Sequence, residues 1–267
     1  MTALRGVQAI HNVFERAQAD GRAVLIPYLT MGYPTPERSI ALAEAAIDGG
    51  ADLLELGIPF SDPLADGPAI QRATHCALQQ GTTAQMCIDL AAELRRRHPE
   101  TPLLFMGYVN PILAYGERTF CQACQDAGVD GLIVPDLPIG EAGLLDEHCR
   151  AHDLALVLLA APNTPDDRLR AIGERSTGYV YLVSITGITG ARDSVPEGLA
   201  AFVERSRHVI DQPLAVGFGI ASAESASAVG RLADGVIVGS AVVERCAEDD
   251  AEERVASFVA ELRAALG

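Results

Sequence analysis

Eight short apolar segments that alternate with helical segments predict a (β/α)8 barrel for this chain of 267 residues. The apolar segments are rich in Val, Ile and Leu, which is typical of parallel strands that are buried on both faces. Eight such units in about 240 residues fit the usual size of this barrel. An open, doubly wound sheet is the alternative that the same pattern allows.

The predicted elements follow one another without interruption. Strands are expected near 23–30, 52–56, 102–108, 130–134, 154–160, 178–183, 213–217 and 234–238. The helices between them are expected near 35–48, 84–97, 117–127, 141–151, 165–174, 196–209 and 222–232. One extra helix at 7–19 precedes the first strand, a short helix follows Gly239, and another at 250–266 closes the chain. Because no Pro- or Ser-rich linker divides the sequence, we expect a single domain over 1–267.

Three of the strands begin after similar tripeptides, which indicates a repeated strand–helix unit. These tripeptides are Gly50–Asp52, Gly128–Asp130 and Leu232–Asp234. A glycine suits the left-handed end of a helix, and the polar residue then turns the chain into the next strand.

The composition excludes several kinds of chemistry. The net charge is −16, and all 20 basic residues are arginine, so the chain contains no lysine. Schiff-base aldolases, pyridoxal-phosphate enzymes and P-loop proteins all need a lysine and are therefore excluded. The acidic balance argues against a nucleic-acid partner. The one basic run, Arg95–Arg97, lies at a predicted helix end, where cations complement the helix dipole.

Neither a membrane-spanning segment nor a secretory signal is expected. No apolar run reaches the length of about 18 residues that a membrane helix needs. The first residues also lack an apolar stretch before a cleavage site. We therefore expect a cytoplasmic protein whose six cysteines are thiols.

The cysteine and histidine pairs favour neither a metal site nor a cofactor. Cys121 and Cys124 form a C-x-x-C pair inside a predicted helix, whereas a redox pair lies at a helix start. His148 and His152 stand one helical turn apart without an evident third ligand. We expect both histidines on a solvated helix face.

The clearest chemical signal is a pair of carboxylates joined by a Gly- and Pro-rich loop. Glu55 falls inside an apolar strand, where a carboxylate is unexpected unless it faces the mouth of the barrel. Burial there would raise its pKa toward neutrality, as a general acid/base requires. Asp66 follows eleven residues later and can fold back over the mouth, so the two groups can divide proton transfer and charge stabilisation. The structural alternative is a Glu held by the backbone and an Asp that caps the next helix.

Glycine-rich segments after the last three strands favour a phosphate site. They are 186–190, 217–220 and 239–241. Loops after the seventh and eighth strands of such barrels commonly bind phosphate through backbone N–H groups, which needs no lysine. Ordinary turn glycines are the alternative. Tyr179 and Tyr181 share one face of the sixth strand, so either phenol can reach this site or pack in the core.

Together these segments resemble the α subunit of tryptophan synthase over nearly the whole chain. The matching segments are 25–34, 54–68, 108–116, 130–138, 183–190 and 217–220. The sequence LELGIPFSDPLADGP at 54–68 is highly specific to that family. The resemblance implies a lyase that cleaves indole-3-glycerol phosphate by a retro-aldol reaction into indole and glyceraldehyde 3-phosphate.

The resemblance also implies roles for individual residues. Glu55 would be the general acid/base at indole C3 and at the glycerol hydroxyl, Asp66 would stabilise positive charge at the indole nitrogen, and Tyr181 would position the substrate and Glu55. Tyr28 would pack on the indole, although the family often has a phenylalanine there and the added hydroxyl is unexplained. Thr189 would help to close the site. The remaining substrate contacts, most of them backbone amides to the phosphate, would be Gly190, Phe218, Gly219, Gly239 and Ser240.

Finally, the resemblance implies a partner, and no cofactor or metal for this chain itself. A pyridoxal-phosphate β subunit would receive indole through a tunnel in an αββα complex. The surface facing it would include Pro59, Asp62, Asn110 and Pro111. Two alternatives remain open: a stand-alone lyase that releases free indole, and a phosphate-binding barrel that has lost catalysis and acts as a regulatory subunit.

Overall fold

Eight parallel strands close into a barrel in the computed structural model, which describes residues 3–183, 198–217 and 219–267. Each strand pairs with the next one along the chain, and the last strand pairs with the first. This order confirms the predicted (β/α)8 barrel and excludes the open doubly wound sheet, which would leave two unpaired edges.

The strands lie where the apolar segments predict them. In chain order they are β1 Val24–Thr30, β2 Leu54–Gly57, β3 Leu103–Met106, β4 Gly131–Ile133, β5 Ala155–Ala160, β6 Val180–Val183, β7 Leu214–Gly217 and β8 Gly235–Val238. No boundary differs by more than two residues; β3, for example, was expected to continue to residue 108 and ends at Met106. It ends early because Tyr108 already caps the helix that follows.

The described residues form twelve α-helices besides the strands, including the predicted extra helices at both ends of the chain and after β8. They are α1 Gly6–Ala19, α2 Pro36–Asp48, α3 Pro68–Gln79, α4 Ala84–Arg97, α5 Val109–Tyr115, α6 Glu117–Ala127, α7 Gly143–Ala151, α8 Asp166–Arg175, α9 Leu199–Arg207, α10 Ala223–Gly230, α11 Ser240–Arg245 and α12 Ala251–Ala265. The sequence prediction did not include α3 and α5. Both carry a proline in the first turn, Pro68 and Pro111, where its missing N–H needs no partner.

The strand side chains alternate between two apolar layers. Inward-pointing residues such as Val24 and Ile26 fill the barrel, whereas outward-pointing residues such as Leu25 pack against the helices. Helix α1 closes the N-terminal end of the barrel, because its Ile10 and Phe14 belong to the inner layer. The opposite end, where the strands have their carboxyl termini, is therefore the end available for a site.

The aspartate of each repeated tripeptide fastens two neighbouring strands. Its carboxylate accepts a backbone N–H from the preceding strand at 2.8–2.9 Å and pairs with one arginine. The three sets are Asp52 with Leu25 and Arg22, Asp130 with Leu103 and Arg95, and Asp234 with Leu214 and Arg207. The repeat in the sequence thus corresponds to a repeated set of ion pairs at the N-terminal end of the barrel.

The pair between Asp130 and Arg95 is the most buried of the three. Asp130 is fully buried, and the Arg95 side chain is 8% exposed. The second carboxylate oxygen of Asp130 accepts the Gly6 N–H at 2.8 Å, which ties the start of α1 to the barrel. Arg95 also donates to four backbone carbonyl groups, at His98, Pro99, Thr101 and Gly128. The guanidinium group therefore has many hydrogen bonds and little access to water as a replacement partner.

We expect Asp130→Ala to lower the free energy of unfolding by about 3–5 kcal/mol, because it leaves the buried Arg95 charge without its partner. Asp234→Ala is the matched control, since Asp234 makes the same strand contact but its arginine is 44% exposed. The control should lose about 1–2 kcal/mol. Urea unfolding followed by circular dichroism measures both values, and equal losses would contradict this assignment.

The cysteine pair is buried in the packing of the helices, and one histidine of the other pair is buried as well. Cys121 and Cys124 are buried on α6, and no group of three potential ligands for a metal ion is found among the described residues. The expectation of a solvated face is wrong for His152, which is buried and lies with Nδ1 2.7 Å from the carbonyl oxygen of His148. His152 follows the last residue of α7 and folds back onto that helix. Within the described ranges, no helix is both long and apolar enough to cross a membrane.

Candidate active site

A cavity of about 180 Å³ opens at the C-terminal ends of the strands. It brings together seven of the residues that the sequence singles out: Tyr28, Glu55, Asp66, Tyr181, Gly219, Gly239 and Ser240. Three further predicted residues, Thr189, Gly190 and Phe218, lie outside the described residues. The cavity therefore joins the two carboxylates, the aromatic walls and the glycine segments in one place.

Glu55 lies in β2 and is fully buried. The Tyr179 hydroxyl donates a hydrogen bond to Glu55 Oε1 at 2.7 Å. The other oxygen, Oε2, is buried and has no hydrogen-bond partner among the described residues. Burial raises the pKa of Glu55 to about 8, and the Tyr179 hydrogen bond partly opposes that effect. At neutral pH the carboxyl group is thus mostly protonated, with its proton on the oxygen that Tyr179 leaves free.

Tyr179 is a site residue that the sequence analysis did not assign. Residues 179 and 181 were placed on one face, and both side chains do point into the barrel. Tyr179 lies deeper, fully buried, with its ring centroid 5.6 Å from that of Phe14 on α1. Tyr181 lies nearer the mouth and lines the cavity. Burial raises the pKa of Tyr181, and the Glu55 and Asp66 carboxylates add to that effect, so its phenol stays protonated.

Asp66 reaches the cavity from the loop between β2 and α3. It precedes Gly67, the residue that caps α3, and its backbone carbonyl accepts a hydrogen bond from the Gln71 side chain at 2.8 Å. Burial raises the pKa of Asp66 to about 6, while the neighbouring Tyr108 hydroxyl acts in the opposite direction. Near pH 7 Asp66 is therefore mostly ionised, whereas Glu55 is mostly protonated.

Two tyrosines form facing walls of the cavity, and each lies over a glycine of the next strand. A Cβ atom on Gly57 would lie 1.9 Å from the hydroxyl oxygen of Tyr28. A Cβ atom on Gly217 would lie 2.2 Å from the hydroxyl oxygen of Tyr181. The extra hydroxyl of Tyr28 accepts a long hydrogen bond of 3.5 Å from Thr30. The glycines thus provide the space that the aromatic rings occupy.

The glycine segments form the other end of the cavity. Gly239 caps the short helix α11, and the hydrogen bonds of that helix begin with the N–H of Val242. The N–H groups of Ser240 and Ala241 consequently have no partner inside the helix, as at any helix start. No basic side chain lies among the described residues that line the cavity. An anion at this end would be held by backbone N–H groups.

The four residues expected to face a partner differ in their exposure. Asp62 and Asn110 are exposed, and Pro111 is half-buried. Pro59 is buried, so it offers little surface for a contact. Asp62 lies on the loop after β2, and Asn110 and Pro111 lie in the first turn of α5 after β3. The surface in question is therefore next to the cavity.

Comparison with known proteins identifies the family. The family model described as Tryptophan synthase alpha chain matches residues 14–265. The chain belongs to this family. The tryptophan synthase alpha chain of Dehalococcoides mccartyi is 46% identical over 245 residues, which cover 92% of this chain and 96% of that protein. The alpha chain of Roseiflexus castenholzii is 47% identical over 257 residues, covering 95% and 98%.

Solved structures of the tryptophan synthase alpha-chain family share the whole barrel. A chain of tryptophan synthase from Mycobacterium tuberculosis is 37% identical, with a TM-score of 0.91 over 96% of this chain and 97% of that one. The tryptophan synthase alpha subunit of Legionella pneumophila is 36% identical, with a TM-score of 0.90 over 97% and 98%. The family assignment from the sequence motifs is confirmed. Members of the tryptophan synthase alpha-chain family are lyases that cleave indole-3-glycerol phosphate by an aldol reaction.

We expect Tyr179→Phe to raise the pKa of Glu55 further above its present value of about 8. Among the described residues, Tyr179 is the only one that donates a hydrogen bond to the Glu55 carboxylate, and the substitution removes that bond. An increase of about one pH unit corresponds to one hydrogen bond to a charged group. A pH titration of the Glu55 carboxyl carbon by ¹³C NMR measures it. Tyr181→Phe is the control, since its hydroxyl lies in the same cavity without bonding Glu55. Equal pKa values in both variants would refute the role of Tyr179.

Proposed function

We propose that this chain cleaves indole-3-glycerol phosphate with Glu55 as the acid/base group and Asp66 as the charge-stabilising group, and that a β subunit receives the indole. One observation carries the proposal. Two carboxyl groups face the same cavity, and their pKa values of about 8 and about 6 give them different protonation states at neutral pH. That difference is what an acid and an ionised stabiliser need in the same site.

The first step of the proposed reaction uses the proton on Glu55 Oε2. It passes to C3 of the indole ring, and the positive charge that develops at the ring nitrogen is stabilised by the Asp66 carboxylate. The ionised Glu55 then takes the proton from the hydroxyl group on the carbon attached to C3. As that hydroxyl becomes an aldehyde, the carbon–carbon bond breaks and its electrons return to the ring. Indole and glyceraldehyde 3-phosphate leave, and Glu55 is protonated again.

The rest of the cavity supports this assignment. Tyr28 and Tyr181 provide aromatic walls for the planar indole ring. The backbone N–H groups at Gly219, Gly239 and Ser240 provide an anion site at the opposite end, with the helix start adding favourable electrostatics. Contacts from Thr189, Gly190 and Phe218 stay predictions of the sequence.

We expect a bell-shaped dependence of kcat/KM on pH. The rate rises as Asp66 ionises, with a pKa of about 6, and falls as Glu55 loses its proton, with a pKa of about 8.

The substitution Glu55→Gln removes the group that transfers the proton without changing the size of the side chain. It should lower kcat by about 10²–10⁴-fold and leave KM nearly unchanged. Initial rates of glyceraldehyde 3-phosphate formation from pH 5 to about 9.5 measure both effects.

Two outcomes would contradict this assignment. Near-normal turnover of Glu55→Gln would show that another group transfers the proton. If the unmodified chain shows no cleavage activity, either alone or with a β subunit, the non-catalytic regulatory barrel would be favoured instead.

The proposed partner surface is supported by exposed leucines. Leu64, Leu113 and Leu144 are 91%, 41% and 43% exposed. They follow β2, β3 and β4, which are neighbours in the barrel, so they lie along one arc of the rim next to the active site. Exposed apolar side chains of this size are typical of a surface that another protein covers. We propose that this arc contacts the β subunit in an αββα complex.

We expect Leu64→Glu to weaken binding of the β subunit by about tenfold or more, since it places a charge where an apolar contact is proposed. Leu4→Glu is the matched control, because Leu4 is 48% exposed and precedes α1 at the opposite end of the barrel. Titration calorimetry with a purified tryptophan synthase β subunit measures both affinities. Equal effects of both substitutions would refute the proposed surface. High activity of the chain alone, unchanged by the β subunit, would favour the stand-alone lyase.

Two further proposals concern the chain as a whole. We propose that residues 1–267 act as one domain, in keeping with a family match that spans 14–265. We also propose a cytoplasmic location, because all six cysteines are unpaired thiols, as is usual in a reducing compartment.

A further inference from the structure

Tyr108 holds the loop that carries Asp66. It lies between the end of β3 and the start of α5, and it is 5% exposed. Its hydroxyl oxygen accepts the backbone N–H of Ala65 at 2.9 Å. The Asp66 carboxylate neighbours the same hydroxyl, which lowers the pKa of Asp66 against the effect of burial. One hydroxyl group thus binds Ala65 and influences Asp66, the next residue of the loop between β2 and α3.

The hydrogen bond from Ala65 leaves the hydroxyl proton of Tyr108 free to donate. A tyrosine hydroxyl has one proton to donate, and its oxygen can accept from a second group. Because the Ala65 N–H occupies the acceptor side, the proton remains available for the Asp66 carboxylate. A hydrogen bond of this kind stabilises the ionised form of the acid and restricts its rotation.

The Tyr108 ring is held independently of any substrate. Its centroid lies 5.3 Å from that of Phe60, on the same loop as Asp66. The next residue, Val109, donates its N–H to the Asp136 carboxylate at 2.9 Å, which anchors the start of α5. The hydroxyl therefore has a fixed position from which it can orient the loop.

We propose that Tyr108 is a positioning residue for the cleavage reaction, whose hydroxyl holds the loop at Ala65 so that the next residue, Asp66, faces the cavity. This inference rests on the proposed role of Asp66. It assigns to Tyr108 an effect on the ionisation of Asp66 that packing alone would not produce. A tyrosine that supported the loop only through its bond to Ala65 would leave the ionisation of Asp66 unchanged.

The test is Tyr108→Phe, which keeps the ring against Phe60 and removes only the hydroxyl. We expect kcat to fall about 10- to 100-fold with little change in KM, as for a lost hydrogen bond to a charged group. The acidic limb of the pH profile should move upward by about one pH unit, because Asp66 loses a group that favours its ionised form. Thermal melting of the variant checks that its fold is kept.

Tyr115→Phe is the matched control. Tyr115 is the last residue of α5, and its hydroxyl donates to Gln85 at 2.5 Å, away from the cavity. This control should keep the activity and the pH profile of the unmodified chain. An acidic limb that stays in place in Tyr108→Phe would overturn the proposal, whatever the change in kcat.

A third variant tests the role of Asp66 separately from that of Tyr108. Asp66→Asn should abolish the acidic limb of the residual activity. If the limb persists in Asp66→Asn, the role of Asp66 fails and the inference about Tyr108 fails with it. If the limb disappears in Asp66→Asn but is unmoved in Tyr108→Phe, only the inference about Tyr108 fails.

Discussion

The burial of one carboxyl group is the constraint on which the site depends. An ionised Glu55 would be costly inside the barrel, so the group holds its proton at neutral pH. Helix α1 contributes to this state, because Phe14 closes the N-terminal end of the barrel beneath Tyr179. The packing that stabilises the fold thus also removes water from the acid. Tyr179 then selects the oxygen that keeps the proton.

The absence of lysine explains why an aldol cleavage by this chain would depend on carboxyl groups and on the substrate itself. An aldol cleavage needs a place for the electrons of the broken bond, and a lysine imine is one common solution. With only arginine among its 20 basic residues, the chain has no side chain that could form one. The indole ring of the substrate can accept the electrons itself once C3 is protonated. In the proposed mechanism, two carboxyl groups and a set of backbone N–H groups are then enough for the reaction.

The sequence predicts the barrel and the two carboxylates because each leaves a local signal. Buried parallel strands are apolar throughout, so Glu55 stands out within β2. The contacts of Tyr179 and Tyr108 leave no such signal in the sequence. Alternation along a strand gives the face of a residue but not its depth in the barrel, and Tyr108 bonds a backbone N–H that is 43 positions away in the chain. Helices α3 and α5 were missed because glycine and proline near their first turns are also typical of loops.

The two tyrosine–glycine contacts also imply that the tyrosine and the glycine of each pair constrain each other during evolution. Tyr28 pairs with Glu55 in the sheet and lies over Gly57, two residues further along β2. Tyr181 pairs with Ala215 and lies over Gly217 in the same way. Ring atoms as well as hydroxyl oxygens fall within 2.6 Å of a Cβ at either glycine, so a phenylalanine would meet the same obstacle. Neither glycine can gain a side chain while its aromatic neighbour remains, and evolutionary change at one position should therefore be accompanied by change at the other.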